Sequence, residues 1–367
     1  MSKIVVEKTS FSDALSVGAS MAGRSKVMPI LDSVKIVIEG NNAIISSYDS
    51  EVYITKHSSV LESDGDFSFC VNGKDFLSIV RAINEETISI EIKGGSVIVS
   101  HKKGKTSLPT FKVEEFCSPK SDEIVKQFIV NSKNLRNLLI ESKKFCGNDQ
   151  FRQIFTCVNI YANNGTLGAF SSDTTILYHN EYQDEGCIGR DLSFNLQSKA
   201  IDAVVSAISN DEEVEITLGT RNVKIEGSDT SVIITMLEGR YPNARAVIPK
   251  TYNTIVSLSK SELLESIKRA FVTCSQTNAI IKFDIEKDYI DVSSQDSDFS
   301  KETNERIPCV CEGPNIKIGM QYTSIVNAIS VLGESIELHL IGSNVASLWK
   351  STDDDKKNVV IMPVVID

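Results

Sequence analysis

Two kinds of hydrophobic periodicity alternate along the chain and predict its secondary structure. In six stretches, apolar residues recur at every third or fourth position, which is the spacing of one buried face of an α-helix. Between them, apolar and polar residues alternate as in half-buried β-strands, and short polar turns separate the alternating runs. The predicted helices lie at residues 11–23, 73–84, 132–146, 197–209, 259–274 and 320–332. The predicted strands include residues 34–38, 87–92, 96–99, 214–218, 223–225, 232–234, 336–340, 345–349 and 359–362.

Polar residues at two of the helix starts predict caps. Asn131 or Ser132 can cap the third helix, because a short polar side chain at this position accepts a hydrogen bond from the first turn. Ser259, followed three residues later by Glu262, matches the capping-box pattern for the fifth helix. The predicted start of each of these helices is therefore defined within a residue or two.

The order of elements occurs three times along the chain. Corresponding helices are spaced by roughly 120 to 130 residues, the size of one ordinary domain. An aspartate recurs in the same way, at Asp49, Asp173 and Asp296, and aspartate in a turn accepts hydrogen bonds from its own downstream amides. Strands with short connections, grouped between helices, indicate an α+β fold with antiparallel sheets. We therefore expect three repeated modules, each an antiparallel sheet with two helices, at residues 1–121, 122–250 and 251–367.

Composition is that of an ordinary globular protein. The 367 residues are 41% hydrophobic and 24% charged, enough to bury several cores. No apolar run approaches the roughly 18 residues of a membrane span, and residues 1–7 alternate like a strand without the apolar core of a signal peptide. The eight cysteines lie mostly in apolar stretches, as do small buried thiols of a reducing compartment. We expect a cytoplasmic protein without a membrane segment.

No stretch of the sequence carries the signature of an enzyme. The four histidines lack metal-ligand spacing, and Cys309 and Cys311 would need further ligands to hold zinc. The carboxylate run at residues 353–355 lies in a polar stretch between two strands, which favours a solvated hairpin loop. A repeated-domain enzyme acting on carbohydrates or nucleotides would need a non-repeated acid and base in a cleft, and the sequence shows no such pair. We expect no metal, no cofactor and no catalytic residues.

Charge is distributed unevenly along the chain. The net charge of −11 argues against nucleic-acid binding, because phosphate affinity comes from Lys and Arg. The six predicted helices nevertheless carry a small net positive charge, so the strands and loops are strongly acidic. A mildly basic surface that contacts phosphates without reading bases suits a protein that moves along DNA, although helix surfaces also carry Lys and Arg in proteins that bind no DNA.

Three further stretches carry a resemblance to one family. Residues 23–31 resemble a glycine-arginine turn that leads into a Pro-Ile-Leu strand. Residues 238–249 resemble a Gly-Arg-aromatic-Pro linker between the second and third modules, and residues 360–364 resemble a Val-Val-Met-Pro ending. In their order and spacing, and in the threefold repeat, the chain resembles the bacterial DNA sliding clamp, the DNA polymerase III beta subunit, over essentially its whole length.

The resemblance implies the DNA clamp fold and a homodimeric ring. Two copies would associate head to tail around duplex DNA, with twelve helices around the hole, and would tether the replicative polymerase for processive synthesis. Topology rather than affinity would hold the duplex, so the contacts would be independent of sequence. The implied DNA-binding residues are Arg24, Lys26, Arg81, Lys133, Arg136, Lys143, Lys199 and Lys268.

The resemblance also implies one apolar groove per protomer, between modules two and three. It would bind short apolar peptide motifs of the DNA polymerase III catalytic subunit, the clamp loader, other polymerases and repair proteins. The family usually has Gly-His-Arg after Asp173 and often Arg before Val247, whereas this chain has Thr-Thr-Ile and Ala246. We therefore expect a less basic groove with altered motif preference. The implied lining residues are Phe155, Thr174, Thr175, Ile176, Leu177, Pro242, Val247, Ser347, Val360, Met362, Pro363 and Val364.

The dimer contact implied by the resemblance joins the first module of one protomer to the third module of the other. Lys74, Phe271 and Val272 fall at matching places, although an aromatic side chain at the edge of a buried stripe can equally belong to the core. One alternative function also stays open at this point. The chain can be a protein of the clamp fold that binds peptides but is not loaded on DNA.

Overall fold

A computed structural model of the chain describes residues 2–23, 28–208, 212–275, 279–296 and 299–366. The chain divides into two compact units. The first unit is Met1–Arg136 with Lys199–Met236, and the second unit is Asn137–Ser198 with Leu237–Asp367. Each unit takes part of the middle third of the chain, and the boundaries of the three expected modules stay a prediction.

One α-helix forms at each of the six predicted positions, and each helix is shorter than its prediction. Among the described residues, no helix has the length and apolarity needed to cross a membrane. The bounds are α1 (Lys8–Gly18), α2 (Gly73–Ala82), α3 (Ser132–Lys143), α4 (Ile201–Ala207), α5 (Lys260–Val272) and α6 (Tyr322–Ile329).

The caps of α3 and α5 have different outcomes. Asn131 Oδ1 accepts a hydrogen bond from the Asn134 amide at 3.1 Å, so a cap predicted for α3 is confirmed at Asn131. The capping box predicted for α5 is wrong, because the Ser259 side chain does not cap the helix. Its hydroxyl donates instead to Glu334 at 3.0 Å. The same carboxylate oxygen accepts a hydrogen bond from the Ser261 amide at 3.0 Å, so a residue from a distant part of the sequence caps the first turn of α5 in place of the Ser259 side chain.

The strands number 26 in the described residues. In the first half of the chain they are β1 (Ser2–Glu7), β2 (Ser33–Glu39), β3 (Asn42–Tyr48), β4 (Val52–Ser59), β5 (Glu62–Ser63), β6 (Phe67–Asn72), β7 (Thr87–Lys93), β8 (Ser96–His101), β9 (Gly104–Phe111), β10 (Ile124–Asn131), β11 (Cys157–Asn163), β12 (Thr166–Ser172) and β13 (Ile176–Gln183). In the second half they are β14 (Asp191–Gln197), β15 (Glu213–Gly219), β16 (Asn222–Glu226), β17 (Thr230–Thr235), β18 (Thr254–Ser259), β19 (Ile280–Ile285), β20 (Tyr289–Asp296), β21 (Lys301–Pro308), β22 (Val310–Glu312), β23 (Ile316–Gln321), β24 (Ser335–Leu340), β25 (Ser347–Ser351) and β26 (Asp354–Ile361).

These strands form three sheets, and every pair between neighbouring strands is antiparallel. The first unit has one sheet of 13 strands, in the order β10-β15-β16-β17-β4-β3-β2-β6-β9-β8-β7-β1-β5. The second unit has a sheet of 9 strands, β14-β11-β12-β13-β26-β25-β24-β18-β22, and a sheet of 4 strands, β21-β20-β19-β23. The pairs β17–β4 and β13–β26 each join strands from different expected modules. The α+β class with antiparallel sheets is confirmed.

The strand positions predicted from alternation are occupied, with shifts near the C-terminus. The Pro-Ile-Leu strand implied by the resemblance is wrong, because Pro29–Asp32 forms a 3₁₀ turn before β2. Residues 345–349 overlap β25, which begins two residues later, and residues 359–362 overlap the end of the longer β26. The carboxylate run at residues 353–355 forms the turn between β25 and β26 and the start of β26. The predicted hairpin is therefore confirmed there.

The repeated aspartates close turns as predicted at two of the three sites. Asp49 Oδ1 accepts hydrogen bonds from the amides two and three residues ahead, at 3.0 and 2.8 Å. Asp173 Oδ1 does the same at 2.7 and 2.9 Å. Asp296 borders residues outside the described part of the chain, so its turn stays a prediction.

The apolar stripes of the helices pack against the sheets. In the first unit, Phe11 of α1 and Phe76 of α2 are fully buried, and their rings meet edge to face at 6.3 Å. In the second unit, Ile267 of α5 and Ile325 of α6 are fully buried in a core that includes Trp349. Burial of each such side chain contributes about 1.5–3 kcal/mol, so packing rather than helix propensity holds these short helices in place.

Asp122 fixes the turn between β15 and β16. Its carboxylate accepts hydrogen bonds from Thr220 Oγ1 at 2.5 Å and from the amides of Arg221 and Asn222 at 2.8 Å each. The bond from Thr220 contributes most to lowering the pKa of Asp122 to about 2. Because this folded-state pKa lies below the usual value, Asp122 stabilises the fold fully above about pH 4. The contribution is lost as the pH falls towards 2.

We expect Asp122→Asn to lower the free energy of unfolding at neutral pH by about 1 kcal/mol, since the lost hydrogen bonds are to a charged but partly solvated group. The loss is expected to shrink as the wild-type carboxyl becomes protonated. Urea unfolding at pH 7 and in increasingly acidic buffers measures both values. Asp64→Asn is the control, because Asp64 is exposed and its side chain makes no hydrogen bond within the described residues. A loss that is the same at every pH contradicts the assignment.

Candidate functional site

An apolar cavity of about 210 Å³ lies in the second unit. Four segments surround it: the 3₁₀ segment Gln150–Thr156, the turn before β13, residues 241–247, and the end of β26. Most of the lining is aliphatic, aromatic or proline, with a few hydroxyl groups. The lining residues are Phe155, Ser172, Thr174, Thr175, Ile176, Leu177, Tyr241, Pro242, Ala244, Val247, Val360 and Met362.

The pairing of β13 with β26 positions one side of this cavity. Leu177 lies opposite Val360 in the strand register. Just beyond the pair, the Met362 amide donates a hydrogen bond to the Thr175 carbonyl at 2.8 Å. Thr174 has a φ of +88°, which is uncommon for a β-branched residue. The turn closed by Asp173 therefore holds Thr174 in a backbone conformation that threonine rarely adopts, and this positions part of the lining.

Large apolar side chains in the cavity remain accessible to solvent. Val247 is 53% exposed and Met362 is 44% exposed. Tyr241 is buried and Phe155 is half-buried. Their rings meet at 6.1 Å, and burial raises the pKa of the Tyr241 phenol. An exposed apolar surface on a packed support is the usual character of a peptide-binding or protein-binding site.

The structure brings together nine of the twelve residues predicted to line the groove. Ser347 is fully buried, and its hydroxyl donates to the Ile361 carbonyl at 3.1 Å. Val364 pairs with Gly319, with its amide 2.8 Å from that carbonyl. Pro363 and Val364 do not line the cavity, because the backbone beyond Met362 is held by the strand β23 that contains Gly319. Ser347 does not line it, because its side chain is buried against β26.

Three lining residues were not among those predicted. Tyr241 and Ala244 flank Pro242 in the linker motif, so that motif already contained the signal. Ser172 precedes the repeated aspartate, and its hydroxyl accepts a hydrogen bond from the Thr174 amide at 3.0 Å. Serine in this position is expected to close the turn. Its contribution to a cavity depends on the adjacent strand β13 and on the pairing of β13 with β26.

Arg152 is a charged neighbour of the cavity that the sequence did not indicate. Its Nε lies 2.8 Å from Asp149 Oδ2, and its Nη1 donates to Thr174 Oγ1 at 3.3 Å. The hydrogen bond from Arg152 is the main reason that the pKa of Asp149 is lowered. The groove was expected to be less basic than in the family, and Arg152, paired with its own carboxylate, adds a polar anchor beside an otherwise apolar lining.

The residues expected at a dimer contact are exposed in the structure. Lys74 lies in the first turn of α2. Phe271 and Val272 end α5 with 45% and 72% exposure, and the Phe271 ring stacks on Tyr322 at 3.9 Å between centroids. Phe271 is thus both supported from within the second unit and presented to solvent.

Two of the predicted DNA-binding residues, Arg24 and Lys26, lie outside the described residues. Arg81 is exposed in the last turn of α2, and its Nη2 donates to Ser16 Oγ of α1 at 2.8 Å. This contact holds the guanidinium across two helices. Arg81 therefore remains a fixed, solvent-accessible cation.

The other five predicted DNA-binding residues differ in whether they already form ion pairs or are buried within the chain. Lys199 forms an ion pair with Glu51, and Lys143 at the end of α3 is half-buried. The other three are exposed helix residues that form no ion pair within the described part of the chain. They are Lys133, Arg136 and Lys268.

Comparison with known families matches both ends of the chain. The model described as the DNA polymerase III beta subunit, N-terminal domain, matches residues 2–119. The model described as the C-terminal domain of the same subunit matches residues 245–365. The chain belongs to the DNA polymerase III beta subunit family. As a member it is a DNA sliding clamp, a processivity factor and not an enzyme, and at this level its partners are DNA, a DNA polymerase and further copies of itself.

Relatives and solved structures agree with this family over nearly the full length. The chain is 20% identical to the beta sliding clamp of Haemophilus influenzae over 346 residues, 92% of each sequence. It is 22% identical to that of Helicobacter pylori over 346 residues, 90% of this chain and 89% of the relative. A structure of the sliding clamp from Pseudomonas aeruginosa bound to griselimycin matches with a TM-score of 0.95 at 18% identity, covering 100% of both chains. A structure of the beta subunit from Thermotoga maritima matches with a TM-score of 0.93 at 21% identity, also covering 100% of both.

Proposed function

We propose that two copies of this chain close head to tail into a ring around duplex DNA, and that the apolar cavity binds short peptide segments of proteins that act there. The proposed peptides come from the DNA polymerase III catalytic subunit, the clamp loader, other polymerases and repair proteins. The observation that carries the proposal is the cavity itself. It brings together nine of the predicted groove residues from stretches far apart in the sequence. The proposed place of action is the cytoplasm.

The dimensions of the cavity favour a short peptide anchor over a small-molecule ligand. Its volume of about 210 Å³ is below the roughly 300–1,000 Å³ that encloses a drug-sized ligand. Exposed Val247 and Met362 offer apolar contact, while Arg152 and the hydroxyls of Thr174 and Thr175 offer a few polar groups. A peptide with one or two large apolar side chains satisfies this arrangement.

The proposed ring uses the helices as its DNA-facing surface. Lys133, Arg136 and Lys268 lie exposed on helices of different expected modules, while the chain as a whole carries −11. A few mobile cations attract phosphate without tight binding, and the acidic remainder disfavours DNA elsewhere on the protein. We propose the same role for Arg24, Lys26, Arg81, Lys143 and Lys199, with Lys199 the weakest because Glu51 already neutralises it.

The proposed dimer joins the exposed end of α5 to the start of α2 in the other protomer. Phe271 and Val272 provide apolar area, and Lys74 provides a charge that is exposed in the structure. Each protomer contributes three modules, at residues 1–121, 122–250 and 251–367. When two copies associate head to tail and the ring closes, both contact surfaces of each copy are occupied.

We expect the double variant Lys133→Ala with Arg136→Ala to weaken association with a short duplex equally for all sequences. It should also reduce the slope of log affinity against log salt by about 1 for each lost phosphate contact. Fluorescence anisotropy with labelled duplex across a salt series measures the slope. Lys102→Ala with Lys103→Ala is the matched control, because those lysines are exposed in a strand turn rather than on a helix. Equal slopes for the two double variants contradict the proposed DNA-facing surface.

A further inference from the structure

A second cavity, of about 690 Å³, lies beside the groove in the second unit. The two cavities share Pro242 and Ala244, which line both of them. The second cavity is polar where the groove is apolar, so the two offer different chemistry to a bound chain. Its polar lining residues are Asn159, Asn163, Asp191, Ser193, Asn243 and Arg245.

The positive charge of Arg245 is already balanced within the protein. Its Nη2 lies 2.9 Å from Glu181 Oε2 and donates to Tyr161 Oη at 2.7 Å. Tyr161 in turn donates to the same carboxylate oxygen at 2.6 Å. Hydrogen bonds from His179, and then from Tyr161 and Arg245, hold the pKa of Glu181 well below its usual range. Glu181 is therefore an anion at neutral pH, and Arg245 leaves no net positive charge for a ligand.

Asp191 provides an unbalanced negative charge at the second cavity. It is the exposed first residue of β14 and receives one hydrogen bond, from Asn163 Nδ2 at 3.3 Å. No cation forms an ion pair with it within the described residues. The charged side chains that line this cavity are Asp191 and Arg245. Because Glu181, outside the lining, already forms an ion pair with Arg245, the negative charge of Asp191 stays unbalanced and favours a cationic ligand.

Asn159 adds an accessible acceptor to the same lining. Its side chain is 8% exposed, and its Nδ2 donates to Asn195 Oδ1 at 2.9 Å. Its Oδ1 makes no hydrogen bond within the described part of the chain and is not enclosed. It can therefore accept a hydrogen bond from a ligand donor such as a peptide amide.

We infer that this second cavity receives a basic side chain of the partner peptide, on the segment that flanks the apolar motif bound in the groove. The inference rests on the proposed peptide-binding function of the groove. The bound chain crosses Pro242 and Ala244, which both cavities share. Asp191 pairs with its lysine or arginine, and Asn159, four residues along β11 from the Asn163 that lies opposite Asp191, accepts a hydrogen bond from a backbone amide of the bound chain. The second cavity thereby selects among apolar motifs by their flanking charge.

Three fluorescein-labelled peptides test this inference by anisotropy. The first is the core Ser-Leu-Leu-Phe-Ser, and the second adds Gly-Ser-Lys. The third adds Gly-Ser followed by lysine acetylated on its side-chain amine (Nε-acetyl-lysine), which has nearly the same length without the positive charge. Extensions are made at each end of the core in turn. We expect a lysine extension at one end to bind about fivefold more tightly than its acetylated counterpart, the strength of a partly exposed ion pair.

Asp191→Asn is expected to abolish the difference between lysine and acetyl-lysine without changing the affinity of the core peptide. Asp355→Asn is the matched control, because it removes an equally exposed carboxylate from the hairpin between β25 and β26. Equal affinities of the lysine and acetyl-lysine peptides at both ends overturn the inference but leave the groove intact. A lysine advantage that survives Asp191→Asn also overturns it. A core peptide that binds wild type no better than Val247→Asp counts against the groove itself.

Discussion

Val247→Asp will weaken binding of the DNA polymerase III catalytic subunit by about 100-fold or more. Val247 is 53% exposed and lines the apolar cavity, so the variant is expected to fold. When a partner peptide covers the cavity, the new carboxylate loses water and gains no cation. The cost of burying an unpaired charge is several kcal/mol, and each 1.4 kcal/mol is a factor of ten in affinity.

Leu61→Asp is the matched control for this variant. Leu61 is also 53% exposed, lies in the first unit, and does not line the groove. Surface plasmon resonance with the immobilised catalytic subunit measures both variants, and circular dichroism checks that each is folded. If Val247→Asp and Leu61→Asp bind the polymerase equally well, the cavity is not its binding site.

Val272→Lys will convert the dimer into monomers at micromolar concentration. Val272 is 72% exposed and ends α5, where a cation is favourable for the helix dipole. Loss of the dimer therefore cannot be attributed to an unstable helix. In the proposed contact the new lysine loses water and faces the partner copy near its Lys74, so like charges oppose each other at both interfaces of the ring.

Val365→Lys is the control for the dimer variant, because Val365 has the same residue type and the same 72% exposure in the same unit. Sedimentation equilibrium or light scattering gives the mass of each species. We expect a dimer for wild type and Val365→Lys and a monomer for Val272→Lys. If the wild type is a monomer, the proposed ring is contradicted. If Val272→Lys remains a dimer, the contact between the copies lies elsewhere.

Where one local pattern determines the outcome, the structure contains the helix or turn that the sequence predicted. The helix stripes at Phe11 and Ile267 and the turn at Asp173 follow from spacing and residue type, and each appears as expected. The cavity residues from Thr174 to Leu177, together with Pro242 and Val247, were named through motifs of the resemblance. Their assembly in one cavity requires the pairing of β13 with β26, which no short stretch of sequence encodes.

Features that depend on distant partners escaped prediction for the same reason. Glu334 rather than the Ser259 side chain accepts an amide hydrogen bond at the start of α5. Ser347 turns its hydroxyl to the backbone of β26 instead of the groove. Arg152 reaches Thr174 across 22 residues. In each case the deciding hydrogen bond joins residues that the fold brings together, so the local pattern could not show it.

The proposed ring is expected to stay on DNA because it encircles the duplex, not because it binds the duplex tightly. The wild-type chain is loaded by its cognate clamp loader onto a nicked circular duplex, and the protein-DNA complex is separated by gel filtration before and after a single restriction cut. We predict that the protein remains on the circle and is lost from the linear molecule, with no change in salt or temperature. Equal retention on circular and linear DNA would contradict the ring.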